Sequence, residues 1–354
     1  MIINPQNNAQ AKSPGSWKGK IALFTASLLM TLVVTELFLA LFTDLRRDEI
    51  KLYLLTKDGG MNCYSTNPRK YFPLTATEER SGRKVYCVAY NMAKRREGFF
   101  PARKEQTALV GDSFTFGEGV KDEDTLAYLL DARFPSINFR NFGAPGADIP
   151  DVRQAVSGIL TNEKQIRNII YFYNLNDIIR CKELEDKQRS IIDFENVRWG
   201  MIRNNSLTSI LSQSALFRLS QKAFVLRRQT RLTIKNYQDM YFGGVNSKEL
   251  EASLQMLAEM NTLAEENGVR FFVVIYPLLY KDGRGAYPFT GIHRLLAGFC
   301  GDHGIRCVDG AHAFDGFPDM RKFIVHAVDY HPNESANRRM IDYLMRTHEF
   351  DLLK

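Results

Sequence analysis

The stretch TALVGDSFTFGEG, Thr107 to Gly119, runs a short apolar segment into Gly111-Asp112-Ser113, then adds two aromatics and two more glycines. It reads as a buried strand stopped by a turn. Two roles for Ser113 are open at this point. It is either a polar residue closing the turn or a hydroxyl displayed at a strand end for nucleophilic attack. What the rest of the chain brings to the same place decides between them.

Working outward, strand and helix patterns alternate. DTLAYLLDARF predicts a helix with Asp124 as its N-cap, INFRNFG a strand, PDVRQAVSGIL a helix and IRNIIYFYN a strand. Later come the helix SKELEASLQMLAEMNTLAEENG, the strand VRFFVVIYP, the helix GIHRLLAGFCGDHG, the strand IRCVDG and a last helix opened by Asn333. This alternation predicts an α/β fold, a mostly parallel sheet covered by helices on both faces, over residues 106–354. Residues 182–246 interrupt it with helical patterns and read as an insertion.

In such sheets ligands bind beyond the carboxyl ends of the strands. The first strand delivers Asp112 and Ser113 there, the second Asn141-Phe142-Gly143, the third Asn174-Leu175-Asn176-Asp177. The segment before the last helix delivers Asp329-Tyr330-His331-Pro332. A serine becomes a nucleophile when an imidazole takes its proton, and the imidazole needs a carboxylate to hold its tautomer. A tetrahedral oxyanion needs fixed donors, a role suited to the Ser113 and Gly143 amides and the Asn176 side chain. Asp112 and Asp177 read as loop-bonding residues. Other readings are His331 as a cap on the last helix, Asn176 as a turn residue, or His326, Asp329 and His331 as metal ligands. No Gly-Lys-Ser/Thr follows FGEG, so it is no phosphate loop.

The four segments GDSF, NFG, NLND and DYHPN, in this order, resemble the four blocks of the SGNH, or GDSL-type, hydrolase superfamily. The likeness runs from Thr107 to the C-terminus and implies a flavodoxin-like three-layer α/β/α domain. It implies Ser113 as nucleophile, His331 as base, Asp329 as its orienting acid, and the Ser113 amide, Gly143 and Asn176 as oxyanion donors, with no cofactor and no metal. Two departures stand out. Asp329 precedes His331 by two residues where three is the common spacing, and the third block lacks the glycine often found ahead of its Asn-Asp.

Ile21 to Thr43 is 23 residues with one charge, Glu36. As a helix it spans about 34 Å, enough for a bilayer core. It ends in LALFTDLRR without a small-residue cleavage site, so it reads as an uncleaved anchor after a cytoplasmic tail, 1–20. Residues 44–105 read as a juxtamembrane collar of loops and short strands. Glu36 is costly in lipid unless it is neutral, snorkels to the interface or meets another membrane protein. An anchor, a collar and GDSFTFGEGV together also resemble membrane-tethered bacterial members of the superfamily.

The net charge is +7. Arg203, Arg218, Lys222, Arg227, Arg228, Arg231 and Lys235 carry seven positive charges with no acid among them. This is either a solvated helical face or a basic helix near anionic lipid. No zinc-finger spacing or aromatic-basic RNA motif accompanies it, so nucleic acid is not expected as a partner. Cys63 with Cys87 and Cys300 with Cys307 are candidate disulfides, leaving Cys181 unpaired and favouring an oxidising compartment. The expectation is a serine esterase tethered to the inner membrane with its domain on the periplasmic side, acting on an acyl ester of a lipid or envelope glycan. One alternative is an O-acyltransferase of an envelope polysaccharide, served by an integral membrane acyl donor. The other is a non-catalytic envelope-assembly protein.

Overall fold

The computed structural model describes residues 17–42, 51–56, 59–64, 76–80, 83–98, 105–184, 214–279, 286–317, 320–326 and 329–353. Residues 1–16 of the expected tail, the 185–213 part of the insertion with Arg203, and the side chains of Cys63, Cys87, His326 and Asp329 lie outside that description. The chain forms two compact units, Met1–Arg46 with Gly200–Ala223, and Arg47–Trp199 with Phe224–Lys354.

The first unit holds helix α1, Trp17–Phe42. Its stretch Trp17–Leu39 has a mean hydropathy of 2.0 and no fully buried residue, so it is long and apolar enough to cross a membrane.

The second unit begins with four strands, β1 (Lys51–Thr56), β2 (Gly59–Tyr64), β3 (Ala76–Arg80) and β4 (Arg83–Asn91), followed by the short helix α2 (Met92–Glu97). The strands form an antiparallel sheet in the order β1-β2-β4-β3. Cys63 on β2 stands directly opposite Cys87 on β4.

The main sheet has five strands, β5 (Glu105–Gly111), β6 (Ile137–Asn141), β7 (Ile166–Asn174), β8 (Arg270–Tyr276) and β9 (Arg306–Asp309). Their order is β6-β5-β7-β8-β9 and every pairing is parallel, the order of a flavodoxin-like sheet. Successive residues of β5, β7 and β8 are almost all buried, so both faces of the sheet are covered. The cover comes from α3 (Ser113–Phe116), α4 (Leu126–Arg133), α5 (Ile149–Asn162), the part of α6 (Ala215–Phe242) from Phe224 on, α7 (Ser247–Glu266), α8 (Thr290–Asp302) and α9 (Glu334–Leu344). Within it α5 packs on α7, and α4 packs on α9. The expected three-layer α/β/α architecture is therefore present, and α6 lies in the expected insertion.

Two expectations need correction. Thr125, not Asp124, caps α4, its hydroxyl accepting from Tyr128 N at 3.3 Å. Asp124 belongs to the preceding 3-10 turn and is held by Arg338 at 2.6 Å. The Cys300–Cys307 bridge is not made. Cys300 is a free thiol on the buried face of α8, whereas Cys307 lies on the edge strand β9, on the face opposite Val308. Cys181 is a free thiol as expected.

One buried cation ties α2 to the loop after Ser113. Arg95 is 1% exposed. Its Nε donates to Asp122 at 2.7 Å, Nη1 to the carbonyls of Phe116 (2.8 Å) and Gly117 (3.0 Å), and Nη2 to Val120 O at 2.8 Å. Desolvation pulls its pKa down, and the Asp122 charge and hydrogen bond oppose this. Val120 N reaches the Gly117 carbonyl only at 3.4 Å, so the guanidinium supplies the short bonds that set the shape of residues 116–120. Arg95→Ala is expected to cost about 3 kcal/mol or more in chemical denaturation. Arg95→Lys should recover only part, because one ammonium cannot match a planar fork. Wild-type stability in Arg95→Lys would contradict this assignment.

Candidate active site

β5 ends at Gly111, and Asp112 caps the single turn α3 by accepting from Phe114 N at 2.8 Å. Ser113 is therefore the first residue of that turn, at the carboxyl rim of the sheet. Its amide has no carbonyl within the turn to bond, which leaves it available to an incoming oxygen. Ser113 is 8% exposed.

His331 reaches Ser113 from 218 residues away, with Nε2 2.8 Å from Ser113 Oγ. The hairpin of β10 (Ile324–His326) and β11 (Asp329–Pro332) carries it there. Asn333 fixes the end of that hairpin. Its Nδ2 donates to Lys322 O (2.7 Å) and Ile324 O (3.2 Å), while Oδ1 accepts from Ala336 N and caps α9. The imidazole also meets the Phe114 ring, centroids 5.4 Å apart, and Tyr276 from β8 backs that ring at the same distance. The residue after Ser113 thus props the His331 ring.

The proposed oxyanion donors are placed unequally. Asn176 lies at the end of β7, and its side chain hydrogen-bonds the Asp112 carboxyl. Its amide nitrogen carries two hydrogens, so one bond to Asp112 leaves the other for an oxyanion. Gly143 sits hard against the turn, where an added Cβ would come within 2.8 Å of the Thr115 carbonyl carbon. Only glycine fits that approach. Its N–H, however, donates to Asn141 Oδ1 at 2.9 Å, so it serves an oxyanion only by sharing or releasing that bond. Asp329 is on β11, paired across the hairpin with His326.

The two other acids at the rim are structural, as the sequence suggested. Asp112 also accepts from Asn174 Nδ2 at 3.2 Å, and Asp177 accepts from Tyr171 Oη at 2.9 Å and Asn174 N at 3.1 Å. Burial raises the pKa of both, and the charge of Asp112 raises Asp177 further. Nearby hydrogen bonds, and for Asp112 the His331 charge, pull the other way.

One residue escaped the sequence reading. Gly117 adopts the left-handed conformation, φ 84°, and ends α3, so that Glu118 N folds back onto Ser113 O at 3.0 Å. Glu118 is 6% exposed, and its Oε2 is 3.6 Å from His331 Nε2. The available signal was the FGEG turn itself, since a glycine-enforced reversal after Ser113 returns the next side chain toward the serine.

No family model matches the chain, and no curated protein matches it. Solved structures do. The chain is similar to G-D-S-L lipolytic proteins. A G-D-S-L family member from Veillonella parvula is 14% identical over 69% of this chain and 98% of its own, with a TM-score of 0.41. TesA is 13% identical over 71% and 100%, TM-score 0.42. The acetylxylan esterase Axe2 of Geobacillus stearothermophilus is 12% identical over 69% and 94%, TM-score 0.39. The rim itself carries the functional reading.

A carboxyl group beside an imidazole favours its protonated form. Glu118→Gln is expected to lower kcat by about tenfold while the fold is kept. Steady-state kinetics on a soluble ester would check this, and an unchanged kcat would remove Glu118 from the site.

Proposed function

We propose that the chain is a serine ester hydrolase. The 2.8 Å contact between Ser113 Oγ and His331 Nε2, at the carboxyl rim of a parallel sheet, carries this reading. Ser113 Oγ attacks the ester carbonyl carbon and its proton passes to His331 Nε2. The oxyanion takes the Ser113 amide and Asn176 Nδ2, with Gly143 N as the third donor. The ester C–O bond then breaks, and His331 returns the proton to the leaving alkoxide. A water molecule attacks the acyl-serine, losing a proton to His331, which returns it to Ser113 Oγ as the acyl–oxygen bond breaks and the carboxylic acid departs. Asp329 is the acid we assign to the far nitrogen of the ring.

In this reading α1 is an uncleaved anchor and the catalytic unit works on the extracytoplasmic side of the membrane. The cross-strand register of Cys63 and Cys87 supports that side, because directly opposed residues on antiparallel strands suit a disulfide and an oxidising compartment. The substrate class is an acyl ester of a lipid or an envelope glycan. Acyl transfer to a sugar hydroxyl instead of water would use the same residues and diverge only at the second step.

A fluorophosphonate probe should label the wild-type chain and leave Ser113→Ala unlabelled. Asn176→Ala should lower kcat by about 10²-fold with KM little changed, the pattern of a donor used in the transition state. Absence of labelling in the folded wild type would favour the non-catalytic alternative.

A further inference from the structure

Glu36 is the one charged residue of the apolar span, and the structure gives it partners. Its Oε1 accepts from Ala215 N at 2.6 Å, and Oε2 accepts from Leu216 N at 2.9 Å and Ser214 Oγ at 2.8 Å. The Ser214 hydroxyl in turn accepts from Phe217 N at 3.1 Å. Ala215, Leu216 and Phe217 open α6, and their amides have no helical carbonyl to bond. An acid of the span and a serine therefore close the N-terminus of α6, where the helix dipole favours negative charge. All these residues belong to one compact unit. A helix bonded in this way to residues about 180 positions downstream is part of the folded chain, unlike a leader awaiting removal.

The bond also sets a depth. Glu36 stands seven residues before Thr43, the end of the apolar span, which is about 10 Å, or two turns, along the helix axis. With α1 in a bilayer, the start of α6 is held within about 10 Å of the end of the span, the depth that interfacial helices occupy at the headgroup and acyl boundary. The residues there suit that level. Leu216, Phe217 and the exposed Leu219 are apolar, Arg218 and Lys222 are four apart in the helix, and no acid occurs from Arg203 to Lys235. We propose that the start of α6 is a second, interfacial membrane contact, docked onto the span by Glu36, and that its partner is the anionic headgroup layer of the bilayer. Apolar side chains beside basic ones are what such a layer binds. The proposal depends on α1 as a span and not on the ester chemistry.

The test places an environment-sensitive fluorescent amino acid at position 219 of the full chain. The chain is reconstituted in phosphatidylcholine vesicles with or without phosphatidylglycerol, and shallow spin-labelled lipids serve as quenchers. Strong quenching is expected in the anionic vesicles. Arg218→Gln and Lys222→Gln should each weaken it, by about fivefold per lost charge. Glu36→Leu should weaken it in both vesicle types while α1 still resists alkaline extraction. Should the leucine variant fail to insert, Glu36→Gln keeps an acceptor oxygen and is expected to give an intermediate value. An unquenched wild type, equal quenching in every variant, or quenching only after a membrane protein is added would overturn the proposal. Hydrolysis of a soluble ester in the same vesicles reads the Ser113 site separately, so the two readings fail independently.

Discussion

The Arg95 guanidinium is the interaction on which the nucleophile loop depends. Residues 116–120 must turn sharply away from α3 inside the protein, and a buried turn exposes carbonyls that neither a helix nor a strand will bond. Arg95 takes three of them and fastens itself to Asp122. The Tyr90 and Phe116 rings lie within 5.0 Å of its central carbon. Burying a cation is expensive, so this arrangement is kept for the geometry it imposes more than for net stability. That geometry sets where Ser113 and Glu118 stand relative to His331.

Around Ser113, the buried carboxyl groups are distinguished by what they face. Asp112 and Asp177 are fully buried close to Asn174, and burial favours their neutral forms. They hold the strand-end loops in place. Glu118 is also buried, and its carboxyl group faces the His331 imidazole at 3.6 Å. Three carboxyl groups of similar burial thus have different work because they face different partners. His331 is positioned as firmly as Ser113, through the Asn333 bonds to the preceding hairpin and the Phe114–Tyr276 stack.

Much of this was legible in the sequence because strands buried on both faces write themselves as apolar runs, as TALVG and IRNIIYFYN do. The strand ends followed from those runs, and so did the meeting of Ser113 with His331. What the sequence could not show were contacts that depend on three-dimensional approach. Nothing in MAKRRE marks Arg95 as buried, since it lies between Lys94 and Arg96 in a charged hexapeptide. Asn141 reads as a strand residue, yet its side chain takes the Gly143 amide. Thr125 displaced Asp124 as a cap because Arg338, more than two hundred residues later, claims the aspartate. Glu36 looked like an isolated cost in the span because its partners lie in α6, which has no pattern relating it to the anchor. Cys300 and Cys307 looked paired by proximity in sequence, but helix and strand turn them into different surroundings.

The central claim is that Ser113 carries the acyl group, and intact-protein mass spectrometry tests it most directly. The full chain would be mixed with an activated acetyl ester, quenched in acid within the first turnover, and digested to locate the adduct. The expected result is one acetyl group on the peptide containing Ser113, formed as fast as alcohol is released and then lost to water. Ester cleavage that proceeds at full rate with no adduct on that peptide, or with the adduct on another residue, would contradict the account.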